Sequence, residues 1–271
     1  MNWLRRPASD TQITHGQRLW LYGLAVIVMF LLVAPTLIVM PMSFSDSQYL
    51  EFPPREWSLR WYRNYFESIA WMDATWTSLQ AAFLTMLVAT PVGVAAAYGL
   101  AVSRHPLGRL VFLLLITPIM IPVILIAIGA FYAYVKLGLV NSLTGLVVAH
   151  TILALPLVLI VVSSALKSYD MSQEMAARSL GASRLKAFLL ITLPQIRFSV
   201  ITAALLSFLT SFDEVIVALF VSGGDHSTLT RNMFNALRDQ IDPTIAAIST
   251  IMIVISSAML VMAQVFGKPK D

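Results

Sequence analysis

Six stretches of this chain stay uncharged for so long that a lipid bilayer is the only solvent that suits them. Residues 19–45, 74–103, 110–135, 137–166 and 243–267 hold no Asp, Glu, Lys or Arg, and 198–221 is interrupted only by Asp213 and Glu214. A helix needs about 20 apolar residues to cross a hydrocarbon core. Inside lipid every backbone N–H and C=O has to be satisfied by the segment itself, which leaves the helix as the only form for such segments. The pattern predicts an all-α integral membrane protein with six transmembrane helices, near 19–41, 75–102, 110–135, 143–165, 198–221 and 244–266. Composition agrees, since 12% of the residues are charged against about 25% in soluble domains. Arg5 and Arg6 precede the first stretch as they would in a signal peptide. That stretch is too long for an h-region and no A-x-A-type cleavage site follows, so it reads as a retained span.

Six spans put both termini on one side, and the basic residues say which. With the termini inside, the inner segments hold Arg5, Arg6, Arg18, Arg104, Arg109, Lys167, Arg178, Arg184, Lys186, Arg197, Lys268 and Lys270, twelve in all. The outer segments hold Arg55, Arg60, Arg63, Lys136, Arg231 and Arg238, half as many. Basic residues in short loops favour the cytoplasm. The expected layout is a cytoplasmic segment 1–18, a membrane domain 19–266 with an external loop 42–73 and a cytoplasmic loop 167–197, and a cytoplasmic tail 267–271. Trp57, Trp61, Tyr62, Tyr65 and Phe66 suit the external loop to the membrane interface.

The loop 167–197 is more structured than a connector requires. Asp170 and Gln173 have the spacing of a helix N-cap and its capping-box partner. Glu174 and Arg178 stand at i, i+4 in the favourable order. Ala176 and Ala177 permit close approach of another backbone, and Gly181 supplies the left-handed residue that ends a helix. A second helix, about 184–192, would then stop at Leu193-Pro194. Two short helices at an angle form a compact knob; an amphipathic connector lying on the membrane surface satisfies the same periodicity.

The spacing Ala176-Ala177, three residues, Gly181, nine residues, Ile191-x-Leu193-Pro194 resembles the cytoplasmic "EAA" loop of permease subunits of binding-protein-dependent ABC importers. In that family the loop docks on the ATPase subunit. The resemblance implies the type I ABC importer permease fold and a docking loop made by Glu174, Met175, Ala176, Ala177, Gly181, Ile191, Leu193 and Pro194. It further implies a second permease subunit, two ATP-binding subunits, an external solute-binding protein and a bacterial inner-membrane location. ATP and magnesium would sit on the partner ATPase. Here Met175 stands where the family has its glutamate, and Glu174 lies one position earlier. Either Glu174 substitutes from a rotated position, or Met175 and the alanines carry the contact by packing.

Phe52-Pro-Pro-Arg55 with Ser58-Leu-Arg-Trp-Tyr62, Pro118-Ile-Met-Ile-Pro122, Ser211-Phe-Asp-Glu214 and Ile241-Asp-Pro-Thr-Ile-Ala-Ala247 are similar to the spermidine/putrescine-type permeases within that family. That subfamily also includes importers of opines and aminophosphonates. A polyamine-like cation is the implied cargo. A charge at mid-span costs about 2.5–3.5 kcal/mol and usually faces a cavity or a partner. Asp213 and Glu214 are therefore the candidates for the translocation path, with Asp213 meeting a cationic solute. A structural bond to a neighbouring helix is the other role for each. If helical, the two side chains diverge by about 100°. Pro118 and Pro122 would bend the third span beside the path. His150, Gln80 and Pro156 read as helix–helix contacts.

Several classes drop out. No G-x-x-x-x-G-K-[ST] phosphate loop is present, so the chain is not expected to hydrolyse ATP. The absence of Cys and of H-E-x-x-H leaves no thiol or metalloprotease chemistry. A secondary transporter working alone would need a fuller set of intramembrane ionisable residues.

Overall fold

The computed structural model describes residues 14–103, 105–239 and 241–266. Residues 1–13 and 267–271, with most of the expected N-terminal segment and all of the C-terminal tail, lie outside the described residues. Ser45 forms an isolated β bridge with Trp57, and the named elements are all helical. The chain divides into two units, one up to Asn64 with Asp242–Ile253, the other Tyr65–Ile241 with Val254 onward.

In the first unit α1 (Leu19–Met42) runs unbroken through Pro35 and Pro41 and buries none of its side chains. Lipid, unlike water, tolerates that. After α1 the loop expected to be external folds on its own polar groups. Ser58 N–H donates to Phe44 C=O (2.7 Å), and the Trp61 indole donates to Ser47 C=O (3.1 Å). The loop ends in α2 (Arg60–Glu67), where Asn64 donates to Thr244 Oγ1 (2.8 Å). The expected interfacial aromatics divide: Trp57 is exposed, while Trp61 is buried.

The second unit is built on α3 (Ile69–Val102), α6 (Leu143–Ser168) and α10 (Arg197–Phe212). Their shared core holds Ala89, Val94 and Ala97 with Ala154, Val158, Leu159 and Val162, closed by Ala203. Small residues set the α3–α6 spacing. A Cβ on Gly93 would lie 2.5 Å from Val158 Cγ1, so only glycine permits that approach. Around this core stand α4 (Gly108–Ile116), α5 (Val123–Leu137), α11 (Ile216–Val221) and α12 (Leu229–Asp239).

Among the described residues three helices are by themselves long and apolar enough to cross a bilayer. The sixth predicted segment is α13 (Thr244–Phe266), as expected. The other two expectations need correction. The third segment is a broken pair, bent by 95° between Gly108–Ile119 and α5. Pro118 sits in a tight turn and Pro122 has extended backbone ahead of α5; neither ring nitrogen can donate, so the ladder has no reason to continue. The fifth segment ends as a helix at Phe212 and restarts at Ile216. Asp213 and Glu214 thus occupy a break, and the helical angle expected between them does not apply.

Candidate functional site

The loop 167–197 does form two helical pieces. The first, α7 (Ser172–Ser179), opens on Asp170, whose carboxylate accepts from Ser172 N–H (2.9 Å) and Ser172 Oγ–H (2.7 Å). Those two bonds hold the Asp170 carboxyl below the usual carboxylate range. The expected capping box is not made: the Gln173 side chain accepts instead from Gln195. At the far end Gly181 has φ +93°, Gly181 N–H reaches Arg178 C=O, and Ala182 N–H reaches Ala177 C=O. That pair of bonds is a Schellman turn, which requires a left-handed residue at this position.

The second piece starts as α8 (Arg184–Ala187), capped by Ser183. It widens into a π-helical turn, Phe188–Thr192, and continues through α9 (Leu193–Gln195). Pro194 therefore does not stop the helix. The wider turn precedes a residue that offers no N–H, and bulges of this kind absorb such a defect. The direction changes just afterwards, where Arg184–Gln195 meets α10 at 80°.

Glu174 is where sequence and structure part. It neither pairs with Arg178 nor faces outward; it is 3% exposed. Its Oε1 accepts from Tyr98 O–H on α3 (2.6 Å) and its Oε2 from Thr192 O–H in the π turn (2.8 Å). Thr192 also lies 3.3 Å from Tyr169 O–H at the end of α6, and the Tyr98 ring packs on Phe188 with centroids 4.4 Å apart. One carboxylate thus ties the loop to α3 and joins its two helical pieces. The outward side chains are its neighbours. Met175 is 57% exposed, Leu180 90% and Leu185 68%; Ala176 and Pro194 are exposed, with Ala177, Ile191 and Leu193 half-buried.

The break in the fifth span gives its two carboxylates separate tasks. Glu214 accepts from the backbone N–H of Ile216 (3.1 Å), Val217 (2.7 Å) and Ala218 (3.1 Å), capping α11. Its own C=O accepts from Thr230 O–H (2.8 Å). Asp213 is exposed and its carboxylate has no partner among the described residues. Behind Glu214, fully buried His150 is bonded through Nδ1 to Ser211 (2.7 Å), which reaches Thr85 (3.3 Å). His150 Nε2 lies 3.9 Å from Glu214 Oε2 without a hydrogen-bond partner. His150 is thus a contact between helices, as the sequence suggests, but one shared by α3, α6 and α10.

On the side of α12 a cavity of about 450 Å³ is lined by Asp73, Asp225, Arg231, Asn232 and Asn235 among others. No group of His, Asp and Glu among the described residues is arranged to hold a metal ion.

Residues 89–268 match the family described as binding-protein-dependent transport system inner membrane component. The spermidine/putrescine transport system permease protein PotC of Haemophilus influenzae is 31% identical over 238 residues, 88% of this chain and 92% of that protein. The putrescine transport system permease protein PotI of Escherichia coli is 32% identical over 229 residues, 82% of this chain and 81% of that one. In shape the chain is similar to a chain of a bacterial ABC transporter involved in import of the acidic polysaccharide alginate. The TM-score is 0.67 at 15% identity, over 93% of this chain and 96% of the other. A second structure of the bacterial alginate transporter, in complex with a pentasaccharide-bound periplasmic protein, gives 0.69. These structural likenesses bear on the fold alone.

Proposed function

This chain belongs to the family of binding-protein-dependent transport system inner membrane components, and we propose that it forms half of the pathway through which an ATP-driven importer admits a small polyamine-like cation. The observation that carries the coupling is the loop 170–195: two helical pieces turned at Gly181, anchored inward by Glu174 and exposing Met175, Leu180 and Leu185. Such a knob gives an ATPase something rigid to grip. The cargo rests on the relatives, which are spermidine and putrescine permeases by name. Asp213 supports it, as the one carboxylate of the broken span left free to meet a cation.

In this reading the chain sits in the bacterial inner membrane with both termini cytoplasmic, which the bias in basic residues favours. It pairs with a second, similar permease chain. Two ATP-binding subunits bind ATP and magnesium, and an external solute-binding protein delivers the cargo. Closure of the ATPases moves the loop, and the helices attached to it switch the pathway between outward and inward access. Nothing on this chain takes part in hydrolysis. Its work is positioning: Gly181 shapes the loop, Glu174 holds it to α3, and Pro118 and Pro122 keep the third span bent.

The test is co-expression with the genomic neighbours, followed by purification and reconstitution. An ATPase subunit should co-purify, Gly181→Asp should abolish that association, and labelled putrescine or spermidine uptake should require ATP on the ATPase side. Sustained uptake by this chain without any ATPase overturns the proposal.

A further inference from the structure

The loop that the proposed function assigns to the ATPase has an unusual charge arrangement. Residues 167–197 contain five basic side chains, Lys167, Arg178, Arg184, Lys186 and Arg197, and two acidic ones, Asp170 and Glu174. Of the two, Glu174 is not available to a partner, and Asp170, though exposed, is already bonded within the loop. Glu174 is buried with both oxygens bonded, and Asp170 is engaged by Ser172. Arg178, Arg184 and Lys186 are exposed, and among the described residues no carboxylate stands within ion-pair distance of them. Between these cations along the loop lie Leu180 and Leu185, and one turn before Arg178 lies Met175, all mostly exposed. An isolated exposed leucine is unremarkable, but three large apolar side chains clustered along one short loop mark a contact surface.

Resting on the reading of this loop as the ATPase-docking element, we infer that the contact is apolar at its centre and cationic at its rim. The cognate ATPase subunit therefore presents an apolar pocket edged by Asp and Glu, and recognition uses no glutamate from this chain. Met175 is central to that contact. Its thioether fills a pocket that a carboxylate would have to enter without a counter-charge. The rim cations steer the encounter and set the register, as interfacial charges generally do.

The test uses this full chain with its partner permease in nanodiscs, stripped of ATPase, with association of the purified cognate ATPase subunit measured by surface binding. Met175→Glu should weaken association about tenfold or more, the order expected when a buried apolar side chain is exchanged for an unpaired charge. Met175→Leu, which keeps the apolar volume, should change it less than about threefold. Arg178→Glu with Arg184→Glu should slow association and flatten its salt dependence, because exposed charges act within a Debye length of about 8–10 Å at moderate salt. Binding by Met175→Glu that equals or exceeds the parent, or unchanged salt dependence in the double variant, overturns the inference. Failure of the unaltered chain to bind the ATPase would instead overturn the docking assignment itself.

Discussion

Truncating Glu174 gives the sharpest measure of how the loop is held. Its carboxylate receives two hydroxyl hydrogen bonds, 2.6 Å from Tyr98 and 2.8 Å from Thr192, at a site 3% exposed. Bonds to a charged acceptor are worth about 1.5–3 kcal/mol each, and a buried donor left without a partner forfeits the whole amount. Thr192 retains Tyr169 at 3.3 Å as an alternative partner, which reduces its share of the loss. Glu174→Ala should therefore destabilise the docked loop by about 3 kcal/mol, a change of ~10²-fold in local opening. Tyr98→Phe removes one arm and should cost about 1.5 kcal/mol, ~10-fold.

The assay is tryptic cleavage at Arg178, Arg184 and Lys186 in reconstituted protein, at protease concentrations low enough that the rate follows the opening equilibrium. Uptake coupled to ATP hydrolysis is measured in parallel, with hydrolysis expected to persist while uptake falls. The double variant Tyr98→Phe/Glu174→Ala should be cleaved no faster than Glu174→Ala alone, since the two residues share one interaction. Cleavage of Glu174→Ala at the parent rate would refute the role of this carboxylate as anchor. So would strict additivity of the two substitutions.

Asp213→Asn should lower uptake of a dicationic solute while leaving subunit assembly intact; Glu214→Ala should instead lower yield and thermal stability by about 1–2 kcal/mol, the usual loss of a helix N-cap, and equal effects of both on assembly would erase the distinction. Gly93→Val should cost at least about 1–3 kcal/mol by overpacking, because its Cβ would sit 2.5 Å from Val158; Gly23→Ala, with nothing within 4 Å, is the neutral control in the same melting experiment. The Asp170 carboxyl is held low by its bonds to Ser172, so it supports the start of α7 above the ordinary carboxylate range and loses that role as pH falls through its depressed value. Ser172→Ala should move the Asp170 titration, followed by NMR, back toward ordinary values.

The membrane segments were legible because hydropathy reports solvent, and α1, α3, α6 and α13 lie where uncharged runs place them. The breaks were less so. Composition does not register that Asp213–Val215 leaves the helix, because the cause is the competition of one carboxylate for three backbone N–H groups. Pro118 and Pro122 did announce the other bend. Gly181 was readable since its left-handed conformation is a local property. Glu174 was not, because i, i+4 spacing describes the surface of an isolated helix, whereas its partners stand 76 residues before and 18 after it. The signal available was Tyr98 itself, a hydroxyl in the last two turns of α3, where its near neighbours are apolar. His150, Ser211 and Thr85 are likewise assembled over separations of 61 and 126 residues, and no local pattern joins them.

The 80° joint between Arg184–Gln195 and α10 makes the loop and the fifth span a bell crank. Two stiff rods meeting near a right angle exchange axial travel for sideways travel. A pull along the first rod displaces the near end of the second almost wholly across its own axis, tilting it. How far a given sideways travel tilts the second rod depends on its length, sixteen residues or about 24 Å at 1.5 Å per residue. The inner arm ends at Phe212, where the chain leaves the helix, so that tilt is delivered to the position of Asp213.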